Sequence, residues 1–440
     1  MGDIPLAAFM FPMLFVMVFA GIPVALSLIS TAALFGFMEF GDALPVQFHS
    51  RLYAISSNFI LAAVPLFVFM GSVLERAGIA ARLFNAIKVW FGAFPGGLAL
   101  TTIVMCGIFA ASSGVVGAVE IVVGIMAVPA MLSAGYKKDL AAGTVCAGGS
   151  LGTTIPPSVV IIVYASITEM SVGNLFAGMV IPAGFMVALF LIYILGRCII
   201  QKGAGPGIDP SEMRYSLGQK LWLALTALVP ASFLIVAVLG SIFAGIAAPT
   251  EAAALGALGA LLLSVAYRQF SLRVLREALV QTIKVTSMVM LIVIGGVLFA
   301  SVFIVQGGDT LVSDFVEGHG LGPAGIIVMF LFVVFLLGFI LDWISVLIIV
   351  LPIAQPIIQG ADIDPLWFGV MVCIVLQTSY LTPPMAPSIF YLRSIAPPEV
   401  TYIDMYKGVT PYIVAQLVTL GLVALWPASA TWLPDQIFGF

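Results

Sequence analysis

The chain has 440 residues, 62% of them hydrophobic and only 8% charged, with a formal net charge of −4 and a mean hydropathy of +1.22. Roughly a quarter of a soluble domain is charged, so this composition excludes a soluble enzyme, a nucleic-acid binder and a disordered chain. What remains is a polytopic membrane protein, with too small a net charge to imply a polyionic partner.

Cys106, Cys146, Cys198 and Cys373 lie in or beside apolar runs, with no CxxC or Cys/His cluster. They are packing residues rather than a disulfide framework or a metal site. His49 and His319 fall in loops, which leaves zinc or haem little to bind. No basic n-region or clear cleavage site opens the chain, so the stretch from Ile4 is expected to be a permanent membrane helix.

A hydrocarbon core of roughly 30 Å needs about 20 apolar residues of helix. Residues 4–20 and 22–38 supply two crossings, joined at Gly21-Ile-Pro23, and residues 41–57 a polar connection before the crossing at 58–73. Residues 80–93 mix Arg82 and Lys88 with Leu83, Phe84, Trp90 and Phe91, the pattern of an interfacial amphipathic helix. The apolar run at 94–133 is interrupted by Ala110-Ala-Ser-Ser-Gly114, and each arm is short for a crossing. It is expected to be a re-entrant hairpin with its tip at Ser112-Ser113-Gly114.

Residues 140–167 cross next, through Cys146-Ala-Gly-Gly-Ser-Leu-Gly-Thr-Thr-Ile-Pro-Pro-Ser158. Two prolines delete two backbone donors inside hydrocarbon, where nothing replaces them except protein, water or a bound ion. A crossing to about residue 200 and a polar linker at 201–220 follow. Crossings at 221–240 and 242–267, a basic connection at 268–284 and a crossing at 285–305 begin the second half. An acidic loop at 306–322 leads to a second hairpin at 323–358, broken by Asp342-Trp-Ile-Ser345. A second broken helix at 366–393 carries Gln377-Thr-Ser-Tyr-Leu-Thr-Pro-Pro-Met-Ala-Pro387, and 409–426 is the last crossing.

Superimposing the proline pairs aligns Pro156 with Pro383, Pro157 with Pro384 and Tyr164 with Tyr391. The reading is an all-α membrane protein with about 10–12 transmembrane helices plus two re-entrant hairpins. It is an inverted repeat, 1–200 against 221–440, with 201–220 as a cytoplasmic linker. Five crossings and one hairpin per half put the Lys and Arg of 201–220, 268–284, 137–138, 76–88 and 393–407 on one side, which the positive-inside rule makes cytoplasmic. Both termini are then expected in the periplasm. Paired discontinuous helices point to the ion and substrate site of a secondary transporter.

Val64-Pro-Leu-Phe-Val-Phe-Met-Gly71, Ala111-Ser-Ser-Gly114, Gly148 to Ser158 with its Pro-Pro, Ala248-Pro-Thr-Glu-Ala-Ala-Ala254, Leu341-Asp342 and Leu381-Thr-Pro-Pro384 are spread over nearly the whole chain. In these stretches the chain resembles the large membrane subunit (M subunit, DctM-like) of tripartite ATP-independent periplasmic (TRAP) transporters. The second break is similar to the branch handling 2-oxo acids, mannitol-type or aromatic acids. The resemblance implies an elevator-type, Na⁺-coupled importer of a small organic anion in the bacterial inner membrane. It also implies a small four-helix Q subunit and a periplasmic substrate-binding protein as partners. No Q-like segment precedes Ile4, so Q is expected as a separate chain.

Carried onto this sequence, the family's two sodium sites fall approximately on Ser112, Ser113, Ser150, Gly152 and Pro156, and on Gly338, Asp342, Thr378, Thr382 and Met385. Gly and Pro would act through their carbonyls. No other cofactor is implied. The anion would lie between the hairpin tips against hydroxyls such as Thr154, Ser158 and Ser345, since no arginine is central to either break. An ionisable group in a bilayer is functional by default. Asp342 is therefore assigned to the site, whereas Glu120 and Glu251 are expected to be caps, polar bridges or partner contacts.

Three other functions compete. A proton-coupled organic-anion exchanger of related fold would work without Na⁺ or a binding protein. Gly148-Gly-Ser-Leu-Gly152 spells GxSxG, but a nucleophile elbow needs a strand-to-helix turn and a nearby histidine, and neither is expected here. A channel would favour a continuous polar pore over two broken helices.

Overall fold

Residues 5–113, 116–208, 215–383 and 386–439 are described by a computed structural model. Among them every regular element is helical, as expected where backbone groups in lipid must be satisfied within their own segment. The first half comprises α1 (Ala7–Phe19), α2 (Val24–Phe40), α3 (Leu44–Ser56), α4 (Ala63–Arg76), α5 (Ile79–Phe91), α6 (Gly97–Ser113), α7 (Val116–Ser133), α8 (Lys138–Ser150), α9 (Val159–Thr168) and α10 (Val172–Ile200). The second comprises α11 (Leu217–Phe243), α12 (Pro249–Ala266), α13 (Leu272–Val305), α14 (Gly308–Gly318), α15 (Pro323–Leu337), α16 (Trp343–Gly360), α17 (Pro365–Leu381), α18 (Pro387–Arg393), α19 (Tyr402–Leu425) and α20 (Ala428–Phe438).

Eight described helical segments are long and apolar enough to cross a membrane. The shorter apolar helices include α6, α7, α9, α15 and α17, three arms of the two expected hairpins and parts of the two broken helices, whereas the remaining arm, α16, is one of the eight. Local chemistry sets the boundaries. Gly21 at φ 87° turns the chain after α1, a position glycine reaches without a Cβ penalty. Ser216 and Gln219 close a reciprocal capping box on α11, at 3.3 and 2.9 Å. The Glu251 carboxylate accepts the Ala248 N–H at 2.8 Å, so the exposed Glu251 caps the start of α12 while Thr250 beside it is buried.

Three connections differ from their sequence reading because each holds its own helix-starting or helix-continuing signal. Residues 41–57 contain α3, with Pro45 in its first turn. The basic stretch 268–284 is mostly the beginning of α13, because Ser271 caps that helix by accepting the Val274 N–H at 3.1 Å. The acidic loop contains α14, entered through Gly307 at φ 82°. Beyond the last crossing, α20 folds back onto α10.

Packing pairs elements across the halves. α2 lies on α13 and its counterpart α12 on α4; α9 lies on α16 and its counterpart α18 on α7. α4 and α13 also pack together, forming with α2 and α12 an outer layer beside α6 to α9 and α15 to α18. Within the inner group α8 is pressed against α19, where a Cβ on Gly143 would fall 2.1 Å from the Gly408 carbonyl oxygen. Only small residues permit that approach. Tyr412 pairs with Thr144 at 2.8 Å, and Arg197 donates to Asp139 at 2.5 Å and to the Tyr193 hydroxyl at 2.6 Å, which tie α8, α10 and α19 together. The start of the linker is also fixed. Ile208 N–H donates to Gly92 O at 2.8 Å, Gly96 N–H to Gly205 O at 2.8 Å and Lys137 N–H to Ala204 O at 2.9 Å.

Candidate functional site: two broken helices and the cavity beside them

At the first break α8 passes through a short 3₁₀ turn (Leu151–Thr153) into a cis Pro156-Pro157 bond, and α9 restarts at Val159. Pro156 and Pro157 cannot donate to the carbonyls of Gly152 and Thr153, four residues back. Side chains take over part of that work. Ser158 Oγ donates to Thr153 O at 2.9 Å while accepting the Val160 N–H at 3.2 Å, so it both caps α9 and satisfies the turn. Thr153 Oγ1 donates to Ser150 O at 2.9 Å and lies 3.3 Å from Thr154 Oγ1; Ser150 Oγ donates to Ala147 O at 2.8 Å. Ser150, Thr153, Thr154 and Ser158 are all buried.

At the second break Pro383 and Pro384 likewise withdraw donors from the carbonyls of Ser379 and Tyr380. Thr382 N–H reaches Ser379 O at 3.2 Å, and Thr382 Oγ1 donates to Thr378 O at 2.7 Å. Thr378 Oγ1 is bonded to Ile374 O at 2.9 Å. Ala386 takes φ 38°, uncommon for a residue with a side chain, before Pro387 starts α18.

The breaks are adjacent. Gln377 Nε2 on α17 donates to Ser150 Oγ on α8 at 3.1 Å. Ser388 on α18 donates to the buried Glu120 carboxylate on α7, and a Cβ on Gly149 would fall 1.8 Å from Glu120 Cγ. Glu120 therefore bridges α7 to α18 by a hydrogen bond and packs its stem against α8. Its second oxygen and Gln377 Oε1 are buried with no hydrogen-bond partner among the described residues, so acceptor capacity remains where the breaks meet.

The turn between α15 and α16 comes against the second break, where a Cβ on Gly338 would fall 2.2 Å from Ser379 Oγ. Asp342 caps α16, accepting the Ile344 N–H at 3.1 Å and the Ser345 hydroxyl at 2.5 Å. A carboxylate offers about four lone-pair sites, so two such bonds leave it able to accept more.

A cavity of about 490 Å³ opens here. One wall is the α15–α16 turn with Gly338 and Asp342, together with Ser379, Tyr380 and Tyr391; the other is Pro23, Val24 and Ala25 at the start of α2 with Met288, Leu291 and Ile292 on α13. Among the described residues no lysine or arginine lines it. The cavity thus lies between the inner helices that carry the breaks and the outer layer.

Of the residues assigned from sequence, the structure brings Gly338 and Asp342 together at the cavity beside α17, which carries Thr378 and precedes Thr382. It gathers Ser150, Gly152 and Pro156 at the other break. Thr154, Ser158 and Ser345 are buried and do not line the cavity. The side chains of Ser112 and Ser113, and all of Met385, lie outside the described residues. Sequence reading missed Ser379, Tyr380 and the outer wall. Tyr391 carried a signal, its matched spacing from the proline pair.

The family model described as "Tripartite ATP-independent periplasmic transporter, DctM component" matches residues 11–429. The C4-dicarboxylate TRAP transporter large permease protein DctM of Vibrio cholerae is 28% identical over 456 residues, covering 98% of this chain and 98% of that protein. The protein of the same description from Pseudomonas aeruginosa is 32% identical over 396 residues, covering 88% of this chain and 89% of that one. Among solved structures, the Alcanivorax borkumensis YdaH transporter is similar with a TM-score of 0.64 at 14% identity, covering 95% of this chain and 98% of that one, a likeness of fold alone. Matched over nearly its whole length, the chain belongs to the DctM component family of tripartite ATP-independent periplasmic transporters, as a membrane permease subunit rather than an enzyme.

Proposed function

We propose that this permease imports a small organic anion by Na⁺-coupled, elevator-type movement of its inner helices past its outer layer, receiving the anion from a periplasmic binding protein and braced by a small four-helix subunit. The observation that carries the reading is the cavity between Asp342, Ser379, Tyr380 and Tyr391 on one side and α2 and α13 on the other. A cavity at such a boundary would change its access when one layer slides past the other.

Two Na⁺ sites fit the donor set. At the first, the Gly152 carbonyl lost its helical donor to Pro156, and Ser150 and the Pro156 carbonyl add neutral oxygens, with Ser112 and Ser113 on the facing hairpin. At the second, the carbonyls of Gly338 and Tyr380, the hydroxyls of Thr378 and Thr382 and the remaining capacity of Asp342 would supply the oxygens, with Met385, three residues after Thr382 in sequence, assigned to the same site. Neutral oxygens plus one carboxylate suit a monovalent cation without burying excess charge. Thr154, Ser158 and Ser345 would touch the anion only in a conformation that frees them. Helices α6 with α7 and α15 with α16 are read as two re-entrant hairpins, although α16 is itself long enough to cross, and the crosswise packing as an inverted repeat with the connections rich in Lys and Arg in the cytoplasm.

The relatives' printed substrate, C4-dicarboxylate, supports a carboxylate cargo as a class. The test is uptake into proteoliposomes holding the chain with its small membrane partner and cognate binding protein, over a panel of labelled organic acids, with and without a Na⁺ gradient. Uptake requiring both Na⁺ and binding protein, and lost in folded Asp342→Ala, is the expected result. Equal uptake in K⁺ without binding protein would overturn the coupling and both sodium sites, and would favour the proton-coupled exchanger.

A further inference from the structure

The end of α13 nearest Arg76 carries a cationic face that the transport reading does not use. Arg273, Arg276, Glu277, Val280, Gln281 and Lys284 line a cavity of about 650 Å³ together with Arg76, from the last turn of α4. Their spacing places all six on one face of the helix. Four cations and one carboxylate thus line the same cavity. Glu277 bonds Arg76 at 2.9 Å and Arg273 at 2.9 Å, while Arg276 and Lys284 have no ion-pair partner among the described residues. Arg273 is 87% exposed even so. The Arg76 Nε is buried with no partner among the described residues, so a second donor there is unfilled.

Depth decides what could fill it. After Lys284, residues 285–305 hold no charge, and at ~1.5 Å per residue they match a hydrocarbon core of roughly 30 Å. Lys284 therefore sits at the hydrocarbon boundary, and the turns from Arg273 to Lys284 rise through the headgroup layer. Beside the cationic face, Leu272, Leu279 and Ile283 are exposed, an apolar surface at the same level. A soluble anion has no use for that surface, whereas a phospholipid fits both: phosphate among the guanidinium and ammonium groups, with Leu272 and Leu279 against its glycerol and headgroup and the acyl chains entering hydrocarbon past Ile283.

We infer that the cavity formed by Arg76, Arg273, Arg276 and Lys284 binds the headgroup of an anionic phospholipid at the membrane interface. The site lies on α13, which also forms part of the outer wall of the central cavity through Met288, Leu291 and Ile292. It does not depend on Na⁺ coupling or on the anion carried.

The test uses the full chain in detergent, titrated with phosphatidylglycerol, with phosphatidylcholine, or with inorganic phosphate, and read by native mass spectrometry. The triple variant Arg273→Gln/Arg276→Gln/Lys284→Gln is compared with Lys137→Gln/Lys138→Gln/Lys202→Gln, which removes the same charge elsewhere. At about fivefold per interfacial charge, the first variant should hold phosphatidylglycerol roughly a hundredfold more weakly, the second should bind as the unaltered chain does, and circular dichroism should show both helical. Equal retention of phosphatidylglycerol by the two variants overturns the proposal. So does inorganic phosphate binding as well as the lipid, which would make the site one for a free anion. Loss of the small membrane partner on mutation, with no preference for phosphatidylglycerol over phosphatidylcholine, would make the face a protein interface and also overturn it.

Discussion

The break after α8 is closed on itself, and the break after α17 opens on a cavity. Ser150, Thr154 and Ser158 are 0% exposed and Tyr164 only 2%, whereas Tyr391, at the matched position, is 40% exposed and Pro383 is exposed. Both breaks lose the same two donors to a proline pair. The first replaces one of them from within, Ser158 Oγ donating to Thr153 O, and buries the rest of the turn. At the second, proline offers no N–H to the Tyr380 carbonyl, and Tyr380 lines the cavity with Asp342 and Gly338. Sequence repetition therefore fixes where backbone groups are freed, and packing decides which set meets the cavity.

The matched tyrosines offer the hardest break of that contrast. Tyr164 fills the space over Gly369, where a Cβ would fall 2.8 Å from its hydroxyl oxygen, so Tyr164→Ala should cost about 3–5 kcal/mol of stability, as large-to-small core changes do. Tyr391→Ala should cost about 1 kcal/mol or less. Thermal unfolding in detergent compares them, and similar losses would mean the second tyrosine is as embedded as the first.

Next in size is Gly338→Ala, which places a Cβ against Ser379. Overpacking of about 1–3 kcal/mol in the competent geometry should lower proteoliposome uptake at least tenfold, and Gly338→Ala/Ser379→Gly should recover most of it. An unrescued double variant would show that the α15–α16 turn acts through something other than this contact.

Ser158→Ala removes a helix cap and the donor to Thr153 O, and should lower stability by about 1 kcal/mol or somewhat more. Thr382→Ala, at a half-buried hydroxyl, should cost less than that. Equal shifts in unfolding midpoint would contradict the difference in self-sufficiency.

The smallest effect belongs to the tie between the breaks. Gln377→Leu deletes the bond to Ser150, a net loss of about 0.5–1.5 kcal/mol. Hydrogen exchange should rise over residues 147–158 rather than beyond Pro383. A rise confined to the second break would show that the first needs no support from α17.

Much of this was legible in the residues, for local reasons. Proline lacks an N–H wherever it is placed, so the breaks declare themselves, and their matched spacing exposes the repeat. Some of the missed roles were local too. Asp342 three residues before Ser345, and Ser158 directly before an apolar helix, have the positions of helix caps, and capping is what their side chains do here. The outer wall of the cavity could not be read. Pro23, Val24 and Ala25 meet Met288, Leu291 and Ile292 only because α2 packs on α13, and nothing in either stretch announces the other. For Glu120 the expense of burying a carboxylate leaves cap, polar bridge and partner contact open; it is a bridge here, and its partner Ser388 lies in the other half with no signal in the sequence.

The bonds at Ala204, Gly205 and Ile208 bear on how the chain can be divided. These three residues follow α10 in sequence, yet their backbone groups complete the loops at Gly92, Gly96 and Lys137. A gene split to produce the two halves as separate polypeptides belongs after Ile208. A cut at Gln201 would strip the first polypeptide of its own last strap and hand it to the second, which has no use for it.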